Sequence, residues 1–87
     1  MTTTVLTNEN IQEAVDLWFS NEVECIRIYG RIVEWDVSHV TNMKNLFNNR
    51  EIFNENISHW NVSNVTDMSS MFSNASSFNQ NILHWNV

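Results

Sequence analysis

Residues 35–59 read WDVSHVTNMKNLFNNREIFNENISH, and residues 60–84 read WNVSNVTDMSSMFSNASSFNQNILH. Laid over each other, the two stretches agree at 13 of 25 positions: Trp35/Trp60, Val37/Val62, Ser38/Ser63, Val40/Val65, Thr41/Thr66, Met43/Met68, Phe47/Phe72, Asn49/Asn74, Phe53/Phe78, Asn54/Asn79, Asn56/Asn81, Ile57/Ile82 and His59/His84. The register extends beyond them, because Ile32 precedes Trp35 as Ile57 precedes Trp60, and Trp85 and Val87 open a third copy. A period of this length predicts stacked units, each hiding its apolar residues against the next. Ile57, Trp60, Val62, Phe72 and Phe78 are therefore expected in the core.

Each unit divides in two. An Ile-x-x-Trp-x-Val stretch (32–37, 57–62, 82–87) is apolar and β-prone, and predicts a short strand. Ile and Trp are three apart, so strict alternation does not bury both and a bend is expected between them. Then follows Ser-x-Val-Thr, with Thr41 and Thr66 as expected N-caps of a helix of two turns at most, either α or 3₁₀, carrying Met43, Leu46 and Phe47, or Met68, Met71 and Phe72, on one face. Polar corners are expected at Asn48-Asn49 and Ser73-Asn74. The chain holds 15 Asn but one Gly and no Pro, so Asn, Asp, Ser and Thr must make its turns by bonding nearby backbone. Four Trp and five Phe exclude a disordered polar tract.

The pattern W-[DN]-V-S-x-V-T-x-M-x-x-[LM]-F…F-N-x-N-I resembles the DUF285 repeat, also called the BspA-like or Mycoplasma lipoprotein repeat. Residues 8–38 also resemble the leader that often precedes such repeats. The resemblance implies a leucine-rich-repeat-like fold, seen in bacterial surface proteins and in proteins of large DNA viruses, and implies no catalytic residues. Fold class is accordingly expected to be an α/β repeat: a right-handed leucine-rich-repeat-like solenoid of about two and a half units over 31–87, with a helical cap over 1–30.

In that cap, Thr7 or Asn8 is expected to open a helix whose stripe is Ile11, Ala14, Val15 and Trp18. A second helix is expected from Asn21 to Tyr29, with Val23, Ile26 and Tyr29 on one side. Gly30 stands where a left-handed residue ends a helix.

Composition narrows the function. At 87 residues the chain is one small domain without room for a deep enclosed site. Ten acidic and four basic residues give a net charge of −6, which disfavours nucleic acid and anionic membranes. No stretch reads as a signal peptide or a membrane span. Lone Cys25 excludes an internal disulfide and a cysteine-based zinc site, and is expected in the core. Glu34, His59 and His84 recur at one position in successive units, roughly 4.8 Å apart if stacked, and are read as a polar rung rather than a metal site. The Asn pairs 49/74, 54/79, 56/81 and 61/86 are read as corner ladders. Sequons at Asn56, Asn61, Asn64 and Asn74 follow from composition. No nucleophile–base order, carboxylate dyad or phosphate loop is present.

The expected function is therefore a non-catalytic module for protein–protein interaction, without cofactor or metal; an acidic surface favours a basic or polar partner. The alternative is a self-assembling protein: Ile82, Leu83, His84, Trp85 and Val87 would form an uncapped edge, with one face of Trp85 and the Phe78 layer open, and pair two copies about a two-fold axis.

Overall fold

A computed structural model describes residues 3–82 and Trp85. Helix α1 (Ile11–Ser20) buries Ile11, Ala14, Val15 and Trp18, the expected stripe. Its start differs from expectation. Asn10 occupies the cap position without a side-chain cap bond; its Oδ1 instead accepts from the Thr7 N–H at 2.8 Å, and the Thr7 carbonyl receives the Ile11 N–H. Asn8 is turned outward onto another part of the chain. Helix α2 (Glu22–Tyr29) is capped by Asn21, whose side chain accepts from the Glu24 N–H at 3.2 Å. Only Cys25 of α2 is buried; Val23 and Ile26 are exposed, while Tyr29 is half-buried against the core and meets Trp35 edge-on. Gly30 ends α2 at φ 86° and ψ −178°, a positive φ outside the left-handed helical region that was expected.

Among the described residues after Gly30, neither of the elements expected of each unit forms; most of the expected third strand, 82–87, lies outside them. Among the described residues there is no sheet; one isolated parallel bridge, Asn42 to Asp67, is the sole strand-like pairing. The α/β leucine-rich-repeat-like solenoid is therefore not the architecture of this chain. Two local causes are visible. First, Ile32–Glu34 is a 3₁₀ turn, and the Trp35, Trp60 and Trp85 N–H groups bond the carbonyls of Ile32, Ile57 and Ile82 three residues back. That turn lets residues three apart both point inward, burying Ile32, Trp35, Ile57 and Trp60, where an extended strand would expose one of each pair.

Second, residues 44–49 run as consecutive turns rather than a helix. Asn45 and Asn49 have φ of 60° and 65°, and Ser70 and Asn74, 25 positions on, have 56° and 62°. A left-handed residue breaks the run of right-handed dihedrals that a helix needs. Leu46, Asn48 and Arg50 donate N–H bonds three residues back, to Met43, Asn45 and Phe47. The intervening N–H groups leave the segment altogether: Met43, Asn45, Phe47 and Asn49 donate to the carbonyls of Asp67, Ser69, Met71 and Ser73 at 2.8–3.1 Å. Residues 60–82 thus lie on residues 35–57 in 25-residue register, held by a backbone ladder between turns.

Side chains repeat that register. The indoles of Trp35, Trp60 and Trp85 stack at 6.1 and 6.4 Å, and Phe47 on Phe72 and Phe53 on Phe78 stack at 5.7 and 5.6 Å. Trp60 and Trp85 each donate their indole N–H to the carbonyl 28 residues earlier, at Ile32 and Ile57. Buried indoles thereby keep their polar atoms paired. Of the residues expected in the core, Ile57, Trp60 and Val62 are buried, whereas Phe72 and Phe78 are only half-buried.

Corners are made as the composition anticipates. Asp36, Asn42, Asn56, Asn61 and Asp67 each accept from the N–H two residues on at 2.9–3.1 Å. Asn74 Nδ2 bonds Asn49 Oδ1 at 2.9 Å, and the Asn79 N–H bonds Asn54 Oδ1 at 2.8 Å. Two of the expected ladders are thus present, one of them between side chain and backbone.

Candidate interaction face

Equivalent residues of the two segments meet different surroundings. Val40, Met43, Phe47 and Phe53 are sealed, at 0–2% exposure, while Val65, Met68, Phe72 and Phe78 are all partly open. The first set is covered on both sides. Above lies the second segment; below lie α1 and the turn before it. Asn8 grips Thr41, its Oδ1 accepting from the Thr41 N–H and its Nδ2 donating to the Thr41 hydroxyl at 2.8 Å. Gln12 Nε2 reaches the Leu46 carbonyl, Asp16 pairs with Arg50, and Phe19 meets Phe53 edge-on at 5.9 Å. The Arg50 guanidinium also lies over the Phe19 ring, 4.4 Å from its centre.

No described residue covers the second segment in the same way. A hollow of about 500 Å³ opens there, lined by Met68, Met71, Phe72, Ile82 and Trp85 with Ser70 and Ser73 at its rim. Backbone polarity marks the same face. The N–H groups of Met68, Ser70, Phe72 and Asn74, equivalent to the four that bind the next segment from below, meet no acceptor among the described residues. Four donors at every second residue beside an apolar hollow form an unsatisfied edge.

Charge does not guard it. Residues 60–84 contain Asp67 and no Lys, Arg or Pro, whereas the first segment carries Asp36, Lys44, Arg50, Glu51 and Glu55. Ser69, Ala75, Ser76 and Gln80 stand where Lys44, Arg50, Glu51 and Glu55 stood. The net charge of −6 therefore belongs mainly to the rest of the molecule, and this face is nearly neutral.

The expected edge at Ile82, Leu83, His84, Trp85 and Val87 is only partly the one found. Ile82 and Trp85 line the hollow, while Leu83, His84 and Val87 lie outside the described residues. Trp85 is 8% exposed, stacked on Trp60 and bonded to Ile57, so it does not turn an open face to water. Sequence reasoning missed the donor row of 68–74. Its available signal was the recurrence of Asn or Ser at 45/70 and 49/74, residue types that tolerate positive φ.

Other candidates fall elsewhere. Glu34 and His59 are exposed, His84 lies outside the described residues, and among the described residues no three His, Cys, Asp or Glu side chains gather as a metal site. Glu34 borders a separate hollow of about 230 Å³ with Tyr29, Asp36 and His39. Cys25 is buried as expected; its Sγ–H donates to the Ala14 carbonyl at 3.4 Å, and burial with Glu22 nearby pushes the thiol up to about 11. Asp36 and Asp67 are held below the usual carboxylate range by bonds from the hydroxyls and N–H groups of Ser38 and Ser69. No helix among the described residues is long and apolar enough to cross a membrane.

Among the described residues these features define two α-helices and stacked asparagine-rich turns, covered by α1 on one side and carrying an unsatisfied edge on the other. The chain belongs to the family described as Mycoplasma protein of unknown function, DUF285, whose model matches residues 13–87. No curated protein and no solved structure matches it.

Proposed function

We propose that this chain is a non-catalytic repeat module that binds another protein, and that it binds through the uncovered face of the second segment. The observation that carries this is the contrast between equivalent residues. Phe47 is sealed by chain on both sides and Phe72 by chain on one side only, beside four N–H groups with no acceptor. An apolar patch beside unpaired backbone donors is stabilised by a second chain that brings both cover and acceptors.

Selection of a displayed random-peptide library on the immobilised chain tests the proposal. Binders are expected to be lost on Phe72→Lys and retained on Val23→Lys, since Val23 is 80% exposed on α2. Helical circular dichroism confirms that both variants are folded. Failure to select any binder, or binders indifferent to Phe72→Lys in a folded variant, contradicts it.

A further inference from the structure

Resting on that assignment of the face, we infer that its occupant is a near-neutral backbone segment of the same turn-forming type, supplied by another protein chain and docked parallel to residues 68–74. The template is internal. Residues 67–73 sit on 43–49 by offering four carbonyls at alternate positions, while Phe72 lies over Phe47 within 8° of parallel. The donors and rings presented at 68–74 repeat those at 43–49, so the surface that fits is one like 67–73. Its carbonyls would receive the N–H groups of Met68, Ser70, Phe72 and Asn74, and its aromatic ring would cover Phe72. Main-chain bonds supply affinity in such strand-addition complexes, and the side-chain hollow supplies choice.

The same polarity excludes two simpler occupants. A two-fold contact between copies along 68–74 sets a row of donors against a row of donors, leaving all eight N–H groups without acceptors. Head-to-tail stacking of copies needs the carbonyl side of the first segment, and that side lies beneath α1, with Gln12 on Leu46 and Asn8 over Thr41 and Asn42. The absence of Lys, Arg and Pro from residues 60–84 leaves a neutral incoming segment unopposed.

The probe is a synthetic peptide with the sequence of residues 60–84, titrated into the intact chain and followed by amide NMR and hydrogen exchange. Slowed exchange is expected at Met68, Ser70, Phe72 and Asn74, alternating with unaffected neighbours, at one peptide per chain. A peptide carrying Phe72→Ala is expected to bind about tenfold more weakly or worse, the equivalent of roughly 1.4 kcal/mol or more. That change sits in the ligand, so the host's folding is untouched. A scrambled peptide binding equally well, protection without alternation, or protection of these amides by self-association of the chain alone each overturns the inference. Library peptides that bind this face while the 60–84 peptide does not would overturn the occupant named here and leave the assignment of the face standing.

Discussion

Phe47 and Phe72 hold the same place in consecutive segments, ring on ring at 5.7 Å, yet Phe47 is fully buried and Phe72 is half-open. Their substitution costs should therefore separate. Phe47→Ala removes a ring packed against Phe53, Phe72 and Trp60, and is expected to cost about 3–5 kcal/mol. Phe72→Ala removes a ring that water already reaches, and should cost distinctly less. Urea unfolding of the two variants checks the order; equal losses would contradict it.

Trp60 sits between Trp35 and Trp85 and bonds the Ile32 carbonyl. Its truncation to Ala leaves a cavity and removes one of the two N–H bonds to that carbonyl, the other coming from Trp35, with an expected loss of about 3–5 kcal/mol. For a domain with about 5–10 kcal/mol in total, that is most of its stability. A melting temperature within a degree or two of the parent would refute this packing.

Gly30→Ala isolates backbone strain. An added Cβ meets only Thr3 Cγ2 at an ordinary 3.5 Å, so space is not the obstacle. With φ 86° and ψ −178°, the residue sits where side chains are strained, and the expected cost is about 1–3 kcal/mol. Calorimetric melting that shows no loss would place the junction in another conformation.

Acid should weaken the corners. Asp36 and Asp67 have native acidities shifted below their unfolded values by the bonds from Ser38 and Ser69. Their contribution is complete above the unfolded pKa of about 3.9 and lost as pH falls through the lowered native values. Asn42 makes at the equivalent place the bond that Asp67 makes, so Asp67→Asn should keep the turn and flatten the acid limb of a melting profile taken between neutral and strongly acid pH. An unchanged acid limb would remove Asp67 from the account.

Cys25 titrates in the opposite sense. A thiol raised to about 11 stays protonated in the folded chain, so alkylation at pH 8 should proceed only through unfolding. Stability tied to this group is complete below the unfolded pKa of about 8.5 and is lost as pH rises toward about 11. Labelling as fast as in denaturant would show the site to be open.

What the sequence disclosed depended on whether a residue's role was periodic. The 25-residue register foretold the Trp and Phe columns, and the i, i+3, i+4, i+7 spacing foretold α1, because both follow from which residues must hide together. Strand and helix within each unit were misread for a backbone reason. Ile32 and Trp35 are β-prone side chains in a 3₁₀ turn, and Met43 to Phe47 have helical spacing but are interrupted at Asn45. Spacing alone does not report the sign of φ. Trp85 shares the uncovered face with the donor row of 68–74, whose backbone direction is signalled only indirectly, by Asn or Ser recurring at 45/70 and 49/74.

The central claim is that one edge of the second segment carries backbone donors which the first segment spends on its neighbour. Native-state amide hydrogen exchange tests it residue by residue. Met43, Asn45, Phe47 and Asn49 are expected to exchange slowly, and Met68, Ser70, Phe72 and Asn74 quickly, although each pair has the same place in its segment. Equal protection of the two sets in the chain alone would contradict the claim, because those four N–H groups would then already have acceptors.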